Sequence, residues 1–244
     1  MRIGFVGSGN MAAAIAEGIG KAALFSDSGS GRAAALAQKN GGASTTTEDI
    51  GATCDVVFLC HKPKQLSEVA EKLSGYSGTI VSVLAATPLD SLRAAYPEAT
   101  IVRTMPNIPV AQGSGVFAIA AESDDAPAVD KLLEPTGLVL RVPEDQFDLV
   151  TAIGGCAPAF FAMFARDLIR AATKRGMDEA TVRQVVGQTL SGTGDSLAAN
   201  GVDTEALMSA VASPGGLTER ALDSFETAGL QAVVDRAVAT VLGE

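Results

Sequence analysis

The chain has a single histidine, His61, in 244 residues. No histidine cluster can hold a metal, and any Ser-His-Asp or Cys-His relay would have to pass through that one ring. The three cysteines, Cys54, Cys60 and Cys156, are odd in number and form no Cys-x-x-Cys pair. That excludes a disulfide framework and a thiolate zinc site, and leaves reduced thiols. Positive charge is scarce as well: 18 Lys and Arg against 28 Asp and Glu give a formal net charge of −10, the wrong sign for a nucleic-acid surface. No continuous apolar run approaches the roughly 20 residues that span a bilayer, so no membrane partner is expected. The opening "MRIGFVGSGN" enters a strand-and-turn pattern without a leader-like segment, and a cytoplasmic protein is the expectation. What is present, 47% hydrophobic and 19% charged residues, is a globular composition with core enough for one large domain or two modest ones.

The stretch "RIGFVGSGNMAAAIAEGIGKA" reads as a strand from Ile3 to Val6, a turn through Gly7, Ser8 and Gly9, and an Ala- and Ile-rich helix. Ala12 fills the third small position of the Gly-x-Gly-x-x-Gly/Ala dinucleotide fingerprint. Gly7 permits the tight turn, Gly9 lets a pyrophosphate approach the backbone, and Ala12 lets helix and strand pack closely. The helix N-terminus then offers free N–H groups and partial positive charge to phosphate. A second strand is expected to end near Ser26, placing Asp27 18 residues after Gly9. An acid there suits a ribose 2′-hydroxyl and hence NAD. Ser26, Ser28, Ser30 and Arg32 around it make a loop that suits a 2′-phosphate and hence NADP, and a solvated turn is the third reading.

Strand-like runs follow at 55–60, 79–85 and 100–105 and in "GVFAIA" and "LVLRV", the earlier ones separated by helical patterns such as "PKQLSEVAEKL" and "PLDSLRAAY". The alternation predicts an α/β domain over 1–146, a Rossmann-type doubly wound, mostly parallel sheet. Ligands of such sheets sit at the carboxyl ends of the strands, so the turns "HKPK", "AATP" and "MPNIPV" should face a cofactor. His61 has no visible acid–base partner and reads as backbone lining, with its ring packed or in solvent. Lys62 reads equally as a contact to ribose or phosphate oxygens and as a solvated loop charge. From Phe147 the pattern is helical, with an interruption expected near Gly154, Gly155 and Pro158 and helix C-caps at Gly176 and Gly229. An all-α domain over 147–244 is a small core on its own, and completion by a second subunit is expected.

In order and spacing, "GFVGSGNMAAAIAEGI", "DVVFLCHKPKQL", "VRTMPNIPVAQGSGV", "GGCAPAFF" and "VASPGGLT" resemble the Δ1-pyrroline-5-carboxylate reductase family over essentially the whole chain. The resemblance implies a nicotinamide-binding domain followed by a helical domain that intertwines with a partner copy, as a homodimer or larger homo-oligomer. It implies hydride transfer from NADPH, less often NADH, to the imine carbon of pyrroline-5-carboxylate, giving L-proline. Cofactor contacts are implied at Gly7, Ser8, Gly9, Asn10, Met11 and Ala12, at Ser26, Asp27 and Arg32, at Cys60, His61, Lys62 and Pro63, at Val83, Leu84 and Ala85, and at Asn107. The substrate loop maps onto Ser213 to Thr218. Backbone N–H groups of Gly215, Gly216, Leu217 and Thr218 at a helix start would grip a carboxylate beside Ser213, and the Thr218 hydroxyl would reach the ring nitrogen as the one catalytic side chain. A substrate arriving as its iminium needs no strong enzymatic acid. Glu144 falls where the family has an acid near the substrate, and reads also as a helix N-terminal charge beside Asp145.

The sequence departs from the family at four places. Gly154-Gly155-Cys156-Ala157-Pro158-Ala159-Phe160 replaces Ser-Gly-Ser-Gly-Pro-Ala-Tyr, Leu217 replaces Thr or Ala, and Thr47 replaces Asn. The loop after the second strand is shorter, with its arginine later, at Arg32. Two alternatives stay open: a related NAD(P)H-dependent reductase of another imine or carbonyl, and a non-catalytic dinucleotide sensor. A β-hydroxyacid dehydrogenase would need a lysine in "GGCAPAFFAMFARDL", which has none.

Overall fold

Among the described residues, short runs rich in Val, Ile and Phe, punctuated by glycine and polar turns, form eight strands: β1 Ile3–Val6, β2 Leu24–Ser26, β3 Ala43–Ser44, β4 Val56–Leu59, β5 Thr79–Ser82, β6 Thr100–Pro106, β7 Gly115–Ala120 and β8 Gly137–Val142. The computed structural model describes residues 1–199 and 203–244, and these form two compact units, Met1–Pro158 and Ala159–Glu244. In the first unit the sheet order is β3-β2-β1-β4-β5-β6-β7-β8. β1 to β6 are parallel to one another, while β7 pairs antiparallel with β6 and parallel with β8. Only residues 107–114 join β6 to β7, too few for the dozen or more that a parallel crossover needs, so the chain has to turn back there. The connection to β8 carries the helix Pro127–Leu133 and is long enough to cross over.

β1 and β4 are buried along their whole length, as expected where helices cover both faces of a parallel sheet. On one face the Phe5 ring stacks on Phe25 and Phe58 at 5.2 and 4.8 Å between centroids. From β1 the chain winds to β2 and β3 on one side, then returns to place β4 on the other. That reversal between β1 and β4 opens the crevice in which doubly wound sheets bind ligands.

The second unit contains the helices Glu179–Ala198, Thr204–Val211, Leu217–Thr227 and Leu230–Leu242 and most of Ala157–Thr173. Asp178 and Asp203 cap two of them by accepting the Thr181 and Ala206 N–H groups, and Gly176 and Gly229 take the left-handed conformation at helix ends. Val182 is the only buried side chain among the described residues of this unit, while Phe161, Val211 and Leu217 are 60%, 63% and 79% exposed.

The expected interruption takes a different form. Residues Thr151–Cys156 make a π-helical turn and the helix Ala157–Thr173 follows. Pro158 then lies in the first turn of an α-helix, where a missing N–H is tolerated. The stretch Glu144–Thr173 is also long and apolar enough to cross a bilayer by length and composition. The sequence has 17 uncharged residues from Leu149 to Ala165, more than its broken apolar runs suggested.

Candidate active site

The site in the first unit starts at the turn between β1 and the helix Asn10–Ile19. Gly7 has φ +97, and a Cβ there would lie 2.6 Å from the Cys60 carbonyl and the His61 nitrogen, so only glycine fits between the β1 turn and the end of β4. Gly9, the N-cap, supplies no side-chain cap, and a Cβ on it would meet nothing within 4 Å. Ala12 is fully buried against the sheet. The first N–H groups of the helix therefore open into a crevice of about 520 Å³ lined by Gly7 to Met11, Ser26 to Ser28, Ser30, Arg32, Thr47, Cys60 to Lys62, Gln65, Glu68 and Lys72. The size suits a small-molecule site. Open backbone at Gly9, unpaired helix N–H groups and two cationic side chains, Arg32 and Lys62, fit the phosphates of a dinucleotide.

At the β2 end, the Gly7 N–H and the Ser8 hydroxyl both donate to the Ser26 carbonyl at 3.0 Å, and the Ser26 and Thr47 hydroxyls lie 3.0 Å apart. Asp27 turns into its own loop. One oxygen accepts the Gly29 and Ser30 N–H groups at 2.7 and 3.1 Å, and the other accepts the Ser30 hydroxyl and the Ala33 N–H, both at 2.8 Å. An ionised carboxylate has about four acceptor positions, and all are taken. These bonds, led by that of Ala33, hold the Asp27 carboxyl below its ordinary pKa. Gly29 and Gly31, both left-handed, let the loop curl around it.

At the β4 end, enclosure pushes the Cys60 thiol well above its usual range, so it stays protonated. His61 Nδ1 lies 2.9 Å from the Lys62 carbonyl and must carry the proton there, while Nε2 is buried without a partner among the described residues. The ring is half-buried at the crevice wall, and burial lowers its pKa. The Lys62 N–H donates to Gln65 Oε1 at 3.1 Å, and Pro63 begins a 3₁₀ turn.

The remaining expected contacts lie outside that crevice lining. The Leu84 side chain is buried in the core, leaving only its backbone available to a ligand. Asn107 is 8% exposed. It accepts the Val116 N–H at 2.9 Å and donates from Nδ2 to the Gly154 carbonyl at 3.2 Å. Gly154 is four residues before Pro158, so its carbonyl is the one that Pro158, lacking an N–H, leaves unpaired. Asn107 thus completes the π-helical turn. Glu144 accepts the Leu89 N–H at 2.7 Å and pairs with Arg103 at 2.5 Å. It caps a helix, but the helix is Leu89–Ala95 rather than its own. Gln65, Glu68 and Lys72 were not singled out in the sequence. Glu68 and Lys72 form an i,i+4 ion pair at 2.7 Å, a spacing that helical periodicity could have shown.

In the second unit, the turn before the helix Leu217–Thr227 is partly closed on itself. The Gly215 N–H donates to Glu219 Oε2 at 2.6 Å and the Gly216 N–H to the Ser213 carbonyl at 2.9 Å. Of the four donors expected for a carboxylate, two are therefore occupied. Leu217 and Thr218, as the first two residues of the helix, have no intrahelical acceptor. Leu217 is 79% exposed.

Comparison with known proteins places these features in context. The family model described as pyrroline-5-carboxylate reductase dimerisation matches residues 144–243, and that described as NADP oxidoreductase, coenzyme F420-dependent, matches residues 2–86. The pyrroline-5-carboxylate reductase of Aquifex aeolicus is 32% identical over 96% of this chain and 92% of its own. The 1-pyrroline-5-carboxylate reductase structure from Streptococcus pyogenes has a TM-score of 0.87 at 26% identity, covering 100% of this chain and 97% of that one. The NADP-bound pyrroline carboxylate reductase of Plasmodium falciparum has a TM-score of 0.86 at 24% identity, covering 99% and 95%, a likeness of fold.

Proposed function

The chain belongs to the pyrroline-5-carboxylate reductase family, and on that footing we propose that it reduces the cyclic imine of Δ1-pyrroline-5-carboxylate to L-proline, using a pyridine nucleotide. The observation that carries the reading is the pairing of two uncapped helix starts in one chain. The start at Gly9 faces an open crevice, and the start at Leu217 and Thr218 leaves two N–H donors free. The helix start after Gly9, with Arg32 and Lys62 beside it, would hold a nicotinamide nucleotide in the crevice, and that group would supply hydride. The Leu217 and Thr218 N–H groups hold the substrate carboxylate, with the Gly215 N–H joining them when Glu219 moves aside. The Thr218 hydroxyl bonds the ring nitrogen, steadying it as the imine carbon is reduced. A substrate arriving as its iminium needs no strong enzymatic acid, which suits a chain whose one imidazole is kept neutral and whose Cys60 thiol stays protonated.

A modest preference for NADPH follows from the β2 loop. Asp27 has no acceptor left for a ribose 2′-hydroxyl, while Ser28, Ser30 and Arg32 line the crevice beside it. Residues 147–244 form the proposed substrate and dimerisation domain. Helices with one buried side chain among the described residues need a second copy to cover their apolar faces, and the apolar stretch Leu149 to Ala165 is assigned to that role rather than to a membrane. A net charge of −10 disfavours nucleic acid, and three free cysteines suit the cytoplasm.

A second reading, another imine or carbonyl as substrate, is favoured by one observation, the exposed Leu217 where the family has Thr or Ala. Both readings meet in one assay, NADPH oxidation with pyrroline-5-carboxylate. Wild-type protein should turn over, Thr218→Ala should lose about 100-fold in kcat, and Leu217→Thr should stay within about threefold. Tight NADPH binding with no turnover refutes the reductase reading. Unchanged turnover in Thr218→Ala refutes the role of Thr218.

A further inference from the structure

Two features of the first unit stand outside this chemistry and meet at one loop. Arg103, on β6, is 6% exposed. Its Nη1 donates to Glu144 Oε1 at 2.5 Å, and its guanidinium lies 4.6 Å from the centre of the Phe147 ring. The same Oε1 accepts the Leu89 N–H at 2.7 Å. Leu89 starts the helix that follows the loop Val83 to Pro88, and this loop contains Ala86 at φ +53, the only non-glycine in the left-handed region among the described residues. The other end of the loop is held too, by the Val83 N–H on the Leu59 carbonyl at 3.2 Å and the Leu84 N–H on Ser82 Oγ at 3.3 Å.

A buried guanidinium requires a carboxylate, which accounts for the pair but not for the bond to Leu89. That bond pins the far end of a loop whose middle residue is strained. Strained backbone survives only where its surroundings over-determine it, and it collects at ligand clamps. The loop leaves the carboxyl end of β5, next to β4 and the β1/β4 crevice. The β2 loop, with Asp27 and Arg32, lies on the opposite side of that crevice and would take the adenosine end of a dinucleotide. The β5 loop is then on the nicotinamide side.

We infer that Glu144 is a positioning residue: through the Leu89 N–H and the Arg103 pair, it holds the Val83 to Pro88 loop in the strained shape that seats the nicotinamide end of the cofactor. This rests on the proposed reductase reading and moves Glu144 from substrate contact to loop support.

The test uses full-length Glu144→Gln, Glu144→Ala and the double variant Glu144→Ala/Ala86→Gly. Affinity for NADPH and for 2′,5′-ADP, which lacks the nicotinamide half, is measured by calorimetry, and kcat with pyrroline-5-carboxylate. Glutamine keeps a carbonyl acceptor for the Leu89 N–H and should hold the NADPH Kd and kcat within about threefold of wild type, while the Arg103 charge left without its carboxylate shows as a lower Tm. Alanine should raise the NADPH Kd and lower kcat by about tenfold each, with 2′,5′-ADP affinity within about twofold. Glycine adopts φ +53 without steric cost, so the double variant should recover kcat to within about threefold of wild type. NADPH binding unchanged by Glu144→Ala, equal weakening of both ligands, or no recovery with glycine each overturns the inference. If Glu144→Ala fails to fold, Glu144→Leu/Arg103→Met takes its place, since it removes the Leu89 acceptor without stranding a buried charge. A wild-type protein that binds NADPH but does not reduce pyrroline-5-carboxylate sinks the reductase reading alone, because the two binding measurements still judge Glu144.

Discussion

Replacing Asp27 with serine removes the acceptor of four hydrogen bonds, three of them from the backbone N–H groups of Gly29, Ser30 and Ala33. In the wild type this carboxylate is a built-in anion sitting among donors that would otherwise suit a phosphate. It stays ionised because those donors lower its pKa. Its effect on a 2′-phosphate is therefore double: it repels the ligand and occupies its donors. Between solvent-screened charges a few ångströms apart the repulsion is about 1 kcal/mol. One regained hydrogen bond adds about 1 kcal/mol, and the looser loop takes part of that back. The net, about 1.4 kcal/mol, is a tenfold gain in NADPH over NADH. The assay is the ratio of kcat/KM for the two nucleotides, with 2′,5′-ADP against 5′-AMP binding as its ligand-only counterpart. NADH use should stay within about twofold, since Asp27 makes no bond to spare for a ribose. A tenfold loss with NADH would show that Asp27 grips the 2′-hydroxyl directly and would refute this reasoning. So would an unchanged ratio.

Three further outcomes concern the same site. Gly7→Ala should destabilise the protein by about 2–3 kcal/mol, measured by chemical denaturation, because the new Cβ meets the Cys60 carbonyl at φ +97. Gly9→Ala should leave stability nearly unchanged, since its Cβ enters open space, yet weaken nucleotide binding, and equal stability losses for both variants would contradict the assignment of that space to a ligand. The pKa of His61 is lowered on folding by burial, so the folded state binds fewer protons than the unfolded one below the ordinary histidine value. Its share of stability is complete above about pH 6.5 and is lost as pH falls through that value. The Tm of wild type should accordingly drop more between pH 7 and 5 than that of His61→Leu, and parallel profiles would place the ring in solvent.

Much of the cofactor half was legible because its signals are local. Gly7, Gly9 and Ala12 act within one strand–turn–helix unit, and each strand carries its own apolar run. The Pro-Gly-Gly before Leu217 marked a helix start for the same reason. The roles of Asn107, Glu144 and Asp27 were not legible. Asn107 serves a carbonyl 47 residues away, freed by a proline that lies further still. Glu144 joins Arg103 and Leu89 across separations of 41 and 55. Asp27 is local, but residue type alone does not say whether a carboxylate turns toward a ligand or into its own loop. Gly18 was likewise silent, although a Cβ there would lie 2.1 Å from the Val110 carbonyl and keep the turn after β6 off its helix.

By itself the amino-acid order determined a mostly parallel dinucleotide fold followed by helices, and the helix starts after Gly9 and Gly216, because propensity, periodicity and glycine placement act over a few residues. Only the folded structure decided the closure of Gly215 onto Glu219 and the employment of Asp27, Asn107 and Glu144 inside the protein. Those depend on which donor or acceptor, near in the chain or far from it, comes within about 3 Å once the chain is packed, and a hydrogen bond beyond that reach is not made.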